Sequence, residues 1–425
     1  MIQRLRKLVT CLPLILILAL GMRMGFAWDQ ERKIPPDLIG IVPFLQETGN
    51  IAYSIALGHG FGSPFWEDTG PTAWLTPVYP IIVAASFRIF GIHTPRSFFA
   101  VVFLNILFSA ATCVPIFFAG KRIAGLGAAS LAAWLWALFP NAIIIPFEWV
   151  WDTSLTALLA ATILWATVAL AESNRWRDWC AYGLLWGFTL MTDPSVGSLL
   201  PFLLGWAAYR SWKLGKLRWS TPVLAAGVVI LCCVPWTVRN CAVFHRFVPL
   251  RSNFPVALWL GNNEYYDPQS TVLPPPDPER AEIRGYVRMG ETAYVQDKWR
   301  KAIQFIRTHR CLELILTERR IVFFWTGKEN PLKGFLDTDS LLVRIVILGN
   351  TLAGLGALLG IIVLYRRRNV YAVPLAVFPV IYPLLYYVTN VWLRYRHPID
   401  PAVLLLTAVA LTAPFHRAKQ QMPTG

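Results

Sequence analysis

Several apolar runs in this chain carry no charge for about 18 residues or more, the length an α-helix needs to cross a hydrocarbon core about 30 Å thick. With shorter runs of the same character, ten segments are predicted to span a membrane: 8–27, 97–120, 126–146, 152–171, 179–192, 195–212, 219–238, 341–365, 370–389 and 398–415. The pair 179–192 and 195–212 is short and has Asp193 and Pro194 at its tip, so it reads as a hairpin that barely reaches the far side. An eleventh apolar segment, 73–91, carries Pro77 and Pro80 near its start and Arg88 near its end. It reads as a helix lying in or dipping into the outer interface.

Charge fixes the direction of these segments. The chain has 39 Lys and Arg against 24 Asp and Glu, a net +15. Sixteen of the basic residues sit in short stretches between apolar runs: Arg4, Arg6 and Lys7; Lys121 and Arg122; Arg175 and Arg177; Arg210, Lys213, Lys216 and Arg218; Arg366, Arg367 and Arg368; Arg417 and Lys419. Only Glu172 and Asp178 accompany them, so those stretches hold +14 of the +15. Lys and Arg beside a span resist translocation. With ten alternating spans, every such cluster and both termini fall in the cytoplasm, and counting 73–91 as a span would break that agreement. A nucleic-acid surface would instead interleave basic and aromatic residues on one soluble face, so no nucleic-acid partner is expected. The first run follows Arg4, Arg6 and Lys7 and reads as a signal anchor. Cleavage after Ala27 is the weaker reading, because Arg23 interrupts the region before the cut. Arg23 and Arg344 read as lying near the outer ends of their spans.

Composition agrees. The chain is 56% hydrophobic and 14% aromatic with 15% charged residues and a mean hydropathy of +0.48, which excludes a disordered chain, a disulfide scaffold and an ordinary soluble enzyme. The expected fold is an all-α polytopic membrane protein. It divides into an N-terminal membrane module, 1–238, with an outer loop at 28–96, an extracytoplasmic loop domain, 239–340, and C-terminal membrane helices, 341–425. The loop domain contains the Pro-rich stretch VLPPPDPER, then an amphipathic run from Glu291 to His309 and another from Leu312 to Trp325. Two readings stand for these runs, helices on the membrane surface or a helical subdomain with its own core. Gly356 and Gly360 give one small-xxx-small pair for helix packing. Cys11, Cys113, Cys180, Cys232 and Cys233 lie in apolar runs as small hydrophobes, while Cys241 and Cys311 fall in the outer loop, where pairing is open.

Acids are expensive inside a bilayer, so acids just beyond a span end are the economical way to build a reactive interfacial site. Glu47, Glu148, Asp152 and Asp193 are placed so. Glu47 opens a helical pattern and Asp152 heads the fourth span, where each also suits a helix N-terminus for structural reasons. Both fall in the outer loops flanking the second and third spans. Between the last two spans, RYRHPIDP brings Arg394, Tyr395, Arg396 and His397 to the outer side, where guanidiniums could hold a phosphate at headgroup depth. Interfacial anchoring by Trp392, Arg394 and Tyr395 is the structural alternative. Arg239 and Arg251, just beyond the seventh span, could add to such a site. No acid or histidine cluster has convincing ligand spacing, so no fixed metal is predicted.

The order of these features resembles the GT-C glycosyltransferases of family 39, the aminoarabinose-transferase and protein O-mannosyltransferase type. The stretches QETGNIAYSIALGHGF and GPTAWLTPVYPIIVAASFRIFG are similar to that family's acid-headed juxtamembrane helix and proline-tyrosine segment. Lys121 and Arg122 with the Ala-rich third span follow, and Asp152 matches an acid heading the fourth span. RYRHPIDP matches the family pattern of Arg-Tyr, two residues, Pro, two residues, Pro. Two positions depart: the acidic pair is Gln46-Glu47, and Thr76 stands where a lysine is common. The resemblance implies a GT-C-like bundle of about ten transmembrane helices with interfacial helices in its outer loops. It implies transfer of a sugar from a polyprenyl-phosphate donor to a glycan, lipid or protein acceptor on the outer face of a membrane, read as the bacterial inner membrane, with inversion. Glu47 would be the base and Asp152 would orient the acceptor or share that role. Arg394 with Tyr395, Arg396, Arg239 and Arg251 would hold the donor phosphate. A transporter or lipid flippase, and a non-catalytic partner of a glycan assembly machine, are the rival readings; the first expects charges within spans and paired, interrupted halves.

Overall fold

The computed structural model describes residues 10–35, 38–39, 42–65, 68–148, 150–263 and 278–421, with side chains from 282 onward in the last stretch and up to 414. The basic residues at 4–7, most of VLPPPDPER and the side chains of Arg417 and Lys419 lie outside the described residues.

In chain order the helices are α1 (Leu12–Glu31), α2 (Glu47–Ala56), α3 (Val78–Phe90), α4 (Pro95–Ala111), α5 (Cys113–Leu138), α6 (Pro140–Glu148), α7 (Thr153–Leu170), α8 (Trp176–Thr192), α9 (Leu200–Lys213) and α10 (Ser220–Phe244). The outer-loop region supplies α11 (Phe254–Gly261), α12 (Pro278–Met289), α13 (Glu291–Thr308), α14 (Arg310–Thr326) and α15 (Pro331–Asp337). The chain ends with α16 (Leu341–Arg366), α17 (Ala372–Ile381), α18 (Leu384–Val388) and α19 (Asp400–Gln421). Among the described residues the extended structure is one isolated bridge, Gly62 with Pro71. The fold is all-α.

Local chemistry explains the breaks. Thr94 caps α4 by accepting from Ser97 N at 3.1 Å while Ser97 Oγ accepts from Thr94 N at 3.2 Å, and Pro95 occupies the first turn, where its missing N–H costs nothing. The helix runs on through Thr112 into α5 until Gly125, whose φ of 84° is a backbone state that favours glycine. There the chain doubles back, because a Cβ on Gly120 would lie 2.9 Å from Ala129 Cα and Trp136 Nε1 donates to Ser109 O at 2.7 Å. The 95–138 stretch is therefore a hairpin of two apolar arms, as the second and third predicted spans require. Its second arm turns Ala128, Ala129, Ala132, Ala133 and Ala137 into the main core, and small side chains let neighbouring backbones approach. Gly360 does the same for α16 and α19: a side chain there would collide with Leu406 O.

Among the described residues six stretches are long and apolar enough to cross a membrane by length and composition, the 95–138 hairpin counted once; 78–90 and 372–388 are shorter. At 13 residues, α3 spans about 20 Å and packs on α2 and α4, in keeping with an interfacial helix. Helix α7, 18 residues and about 27 Å long, separates two chemically distinct ends. At its C-terminal end Glu172 pairs with Arg122, accepts from Tyr371 OH at 3.3 Å, and its carbonyl accepts from Lys216 Nζ at 3.1 Å, while Asn369 Nδ2 donates to Ile123 O at 3.1 Å. The basic loops of the sequence thus gather at one end. Asp152 heads the other.

Arg23 is fully buried, donating to Ser109 Oγ at 2.8 Å and to the carbonyls of Ala19, Ala137 and Trp136. A buried cation with only neutral acceptors survives because four hydrogen bonds replace water. Of the outer-loop runs, α13 buries Tyr294, Lys298, Ala302 and Phe305, and Trp74, Val256, Tyr286 and Tyr294 make a small separate core. Cys241 and Cys311 are both free thiols.

Candidate active site

At the Asp152 end a cavity of about 220 Å³ opens between the membrane helices and the two large polar insertions. Five of the residues singled out in the sequence line it: Glu47, Asp152, Arg251, Arg394 and Tyr395. Each arrives by a different element. Glu47 is the first residue of α2, and Asp152 precedes α7, so both carboxylates sit at positive helix ends that favour anions. Arg251 lies in the turn before α11, and Arg394 and Tyr395 lie in a 3-10 turn, Leu393–Ile399, that leads into α19. The first insertion contributes Trp74, Thr76 and Tyr79; the second contributes Asn253, Phe254 and the apolar side of α11 as a roof.

The roof is fastened to the walls. Glu291, 5% exposed at the start of α13, accepts from Ala73 N at 2.9 Å, Ser252 Oγ at 2.6 Å, Tyr286 OH at 2.6 Å and the Thr72 hydroxyl at 2.5 Å. It thereby ties the 72–76 wall to the 251–253 turn. Buried Arg320 of α14 donates to both oxygens of Glu313, to Asn262 Oδ1 and to the carbonyls of Tyr387 and Thr389, pinning the segment that precedes Arg394.

Within the cavity the charges are unevenly satisfied. Arg251 Nη2 donates to Asp193 Oδ1 at 3.0 Å. Arg394 lies against the Trp151 ring, and its Nε and Nη1 have no hydrogen-bond partner. Such unmet buried donors are costly unless something accepts from them. The Asp152 carboxyl is raised to about 7, first by burial and then by repulsion from Asp193, with Arg251 and Arg394 pulling the other way. Tyr395 stacks on Tyr386 with ring centroids 4.8 Å apart.

Four sequence candidates do not line the cavity: Glu148 ends α6, His397 is fully buried beside Asp400, and Arg396 and Arg239 are engaged elsewhere. Arg396 is 1% exposed and turned inward: its Nε donates to Asp400 Oδ1 at 2.6 Å, and its other nitrogens donate to Trp325 O, Asn350 O and Asn350 Oδ1. Two residues along a 3-10 turn point to different sides, so Arg394 and Arg396 cannot share a ligand. Arg239 donates to Thr72 O at 2.6 Å and Phe61 O at 2.7 Å and lies over Trp236, bracing the first insertion. Asp193, Tyr382 and Tyr386 also line the cavity. Asp193 was visible as an outer acid at a hairpin tip; the i,i+4 tyrosines carried no signal beyond an aromatic span end. Thr76, at the departed lysine position, donates to Thr192 O at 2.8 Å and closes the wall instead of adding a charge.

Residues 74–238 match the family model for dolichyl-phosphate-mannose-protein mannosyltransferase. No curated protein sequence matches the chain. Among solved structures, the chain is similar to the oligosaccharyltransferase AglB of Archaeoglobus fulgidus in complex with an inhibitory peptide and a dolichol-phosphate, at 12% identity and a TM-score of 0.53, covering 97% of this chain and 52% of that one. The Archaeoglobus fulgidus oligosaccharyltransferase in complex with Zn and sulfate gives 13% identity and a TM-score of 0.54, over 96% and 50% of the two chains. The same enzyme tethered to an acceptor peptide containing the NVT sequon gives 13% and 0.52, over 96% and 50%. The chain thus spans about half the length of the structures it matches. The expected GT-C resemblance is met by a family match within the N-terminal module and by the fold of nearly the whole chain, and the protein is an integral membrane protein.

Proposed function

Proceeding from a GT-C glycosyltransferase fold, we propose that this protein transfers a sugar from a polyprenyl-phosphate carrier to an acceptor hydroxyl at the Asp152 end of the bundle, the outer face of the membrane. One observation carries the reading: Glu47, Asp152 and Arg394, widely separated in sequence, line one cavity, where Nε and Nη1 of Arg394 have no hydrogen-bond partner beside two carboxylates. The acceptor oxygen attacks the anomeric carbon, the bond from that carbon to the phosphate oxygen breaks, and its electron pair leaves with the phosphate. Glu47 takes the acceptor proton. Asp152, once ionised, accepts a hydrogen bond from the acceptor and orients it. Arg394 donates to the departing phosphate as its charge builds, with Tyr395 beside it. One displacement inverts the anomeric centre.

The neighbours bear on the ligands. One is bound to dolichol-phosphate and another to an acceptor peptide, which supports a lipid-phosphate donor and leaves the acceptor a peptide, glycan or lipid hydroxyl. A volume of about 220 Å³, below the ~300–1,000 Å³ of drug-sized pockets, favours a small polar head over a long glycan. A neighbour carries Zn and sulfate; among the described residues of this chain no group of three His, Cys, Asp or Glu is placed to hold a metal ion, and no step here uses one. The basic loops gathered at the opposite end support the outward orientation by the positive-inside rule.

The test is transfer from a synthetic lipid-monophosphate sugar by the purified protein. Glu47→Gln is expected to lower the rate by about 100-fold or more, the usual worth of a positioned base, with unchanged thermal stability. Near-native transfer by that variant would remove Glu47 as base.

A further inference from the structure

The cavity contains a third carboxylate that the proposed reaction does not use. Asp193 is 9% exposed, caps both α8 and the 3-10 turn Pro194–Leu199, and is held rigidly: its Oδ1 accepts from Ser195 N at 3.0 Å and its Oδ2 from Ser195 Oγ at 2.8 Å. Ser195 Oγ lies 3.2 Å from Tyr382 OH, which lies 3.1 Å from Tyr386 OH. Into this fixed acceptor Arg251 donates from Nη2 at 3.0 Å. A guanidinium so paired has much of its charge matched already, and pulling it onto a ligand would strip a buried carboxylate of its partner. Arg394 has no such partner for Nε and Nη1. The remaining two arginines of the neighbourhood, Arg239 and Arg396, donate to carbonyls, to asparagine oxygens and to Asp400.

We propose that Asp193 is a specificity-determining residue: by occupying Arg251 it leaves Arg394 as the cavity guanidinium available to a ligand, and so sets the cavity for one phosphate group rather than two in series. This rests on the phosphate-binding reading of Arg394. A single guanidinium can meet one phosphate bidentately; the second phosphate of a diphosphate would face Asp193 and Asp152 with no unpaired cation to meet it. Removing the Asp193 charge releases Arg251 as a second phosphate ligand. The groups facing Arg251 are Asp193, Asp152, Tyr386 and Tyr395; with Asp193 neutral, its strongest hydrogen-bonding competitor is gone.

The experiment measures binding of farnesyl phosphate and farnesyl diphosphate to the full chain in detergent micelles, at one pH and ionic strength. Asp193→Asn is expected to shift the affinity ratio toward the diphosphate by about tenfold, the scale of one charge-assisted bidentate contact. The double variant Asp193→Asn with Arg251→Gln should return the ratio to the native value, which a merely structural role for Asp193 would not produce. Arg251→Gln alone leaves the Asp193 charge unpaired and so weakens both probes, and the ratio between them should stay within about twofold of the native value, whereas Arg394→Gln should weaken monophosphate binding by about tenfold or more. An unchanged ratio in Asp193→Asn, or an Arg251→Gln variant whose ratio moves about tenfold toward the monophosphate, which would mean that native Arg251 already meets the second phosphate, overturns the proposal. The Arg251→Gln arm decides even where Asp193→Asn does not fold. Failure of the native protein to bind either probe would instead refute the phosphate site itself, and this inference with it.

Discussion

Arg394 and Arg396 belong to two regions that touch but obey opposite rules. Arg396, with Asp400, Asn350 and Asn141, forms part of a buried polar layer in which each guanidinium nitrogen has an acceptor. Arg394, two residues earlier in the same 3-10 turn, lines the cavity with two nitrogens unmatched. The same residue type is structural where its hydrogen bonds are complete and ligand-ready where they are not. Stability and function should therefore separate cleanly between the two regions.

The largest effect tests the structural side. Arg396→Ala leaves Asp400, which has no exposure, as an uncompensated buried charge, and breaking such a pair costs about 3–5 kcal/mol. Thermal unfolding in detergent should show that loss. A change of less than about 1 kcal/mol would mean that the layer is not what holds the 393–399 turn. On the other side, Arg394→Gln should leave the unfolding temperature near native and weaken binding of a lipid monophosphate by about tenfold or more. If it destabilises as strongly as Arg396→Ala, the two regions are one.

This contrast marks what the sequence could and could not say. Apolar run lengths and the position of the basic clusters were enough for an all-α membrane bundle, because those signals depend on residue type and spacing alone. Glu47, Asp152, Arg251, Arg394 and Tyr395 were legible because each stands just beyond an apolar run. Which of the clustered arginines faces the cavity was not legible: RYRHPIDP contains no periodicity that distinguishes Arg394 from Arg396, and a 3-10 turn decides it. Arg239 looked like a phosphate ligand for the same reason that it is a brace, since both jobs need a long donor at a span end. The burial of Arg23 depends on carbonyls of α5, more than a hundred residues away, which no local pattern encodes.

A smaller effect should appear in pH. Burial and the nearby Asp193 raise the Asp152 carboxyl to about 7, so its charged form is lost as pH falls through that value and gained as pH rises. Transfer that needs ionised Asp152 should fall on the acidic side with a midpoint near 7, and Asp152→Asn should remove that limb while lowering the plateau. A native profile flat through this range would take Asp152 out of the reaction.

The smallest effect is expected at the opposite end of α7. Arg122 and Glu172 are also an ion pair, but their side chains are 33% and 45% exposed, so water already solvates both charges and competes for each. Losing one partner there strands no charge in a dry interior. Arg122→Ala should cost about 0.2–1 kcal/mol, the range for exposed pairs, diminish further as salt screens it, and leave phosphate binding and its Asp193 dependence untouched. A loss approaching that of Arg396→Ala would show that exposure does not govern these charges. Partner completeness could then no longer separate the structural arginines from the one proposed to bind phosphate.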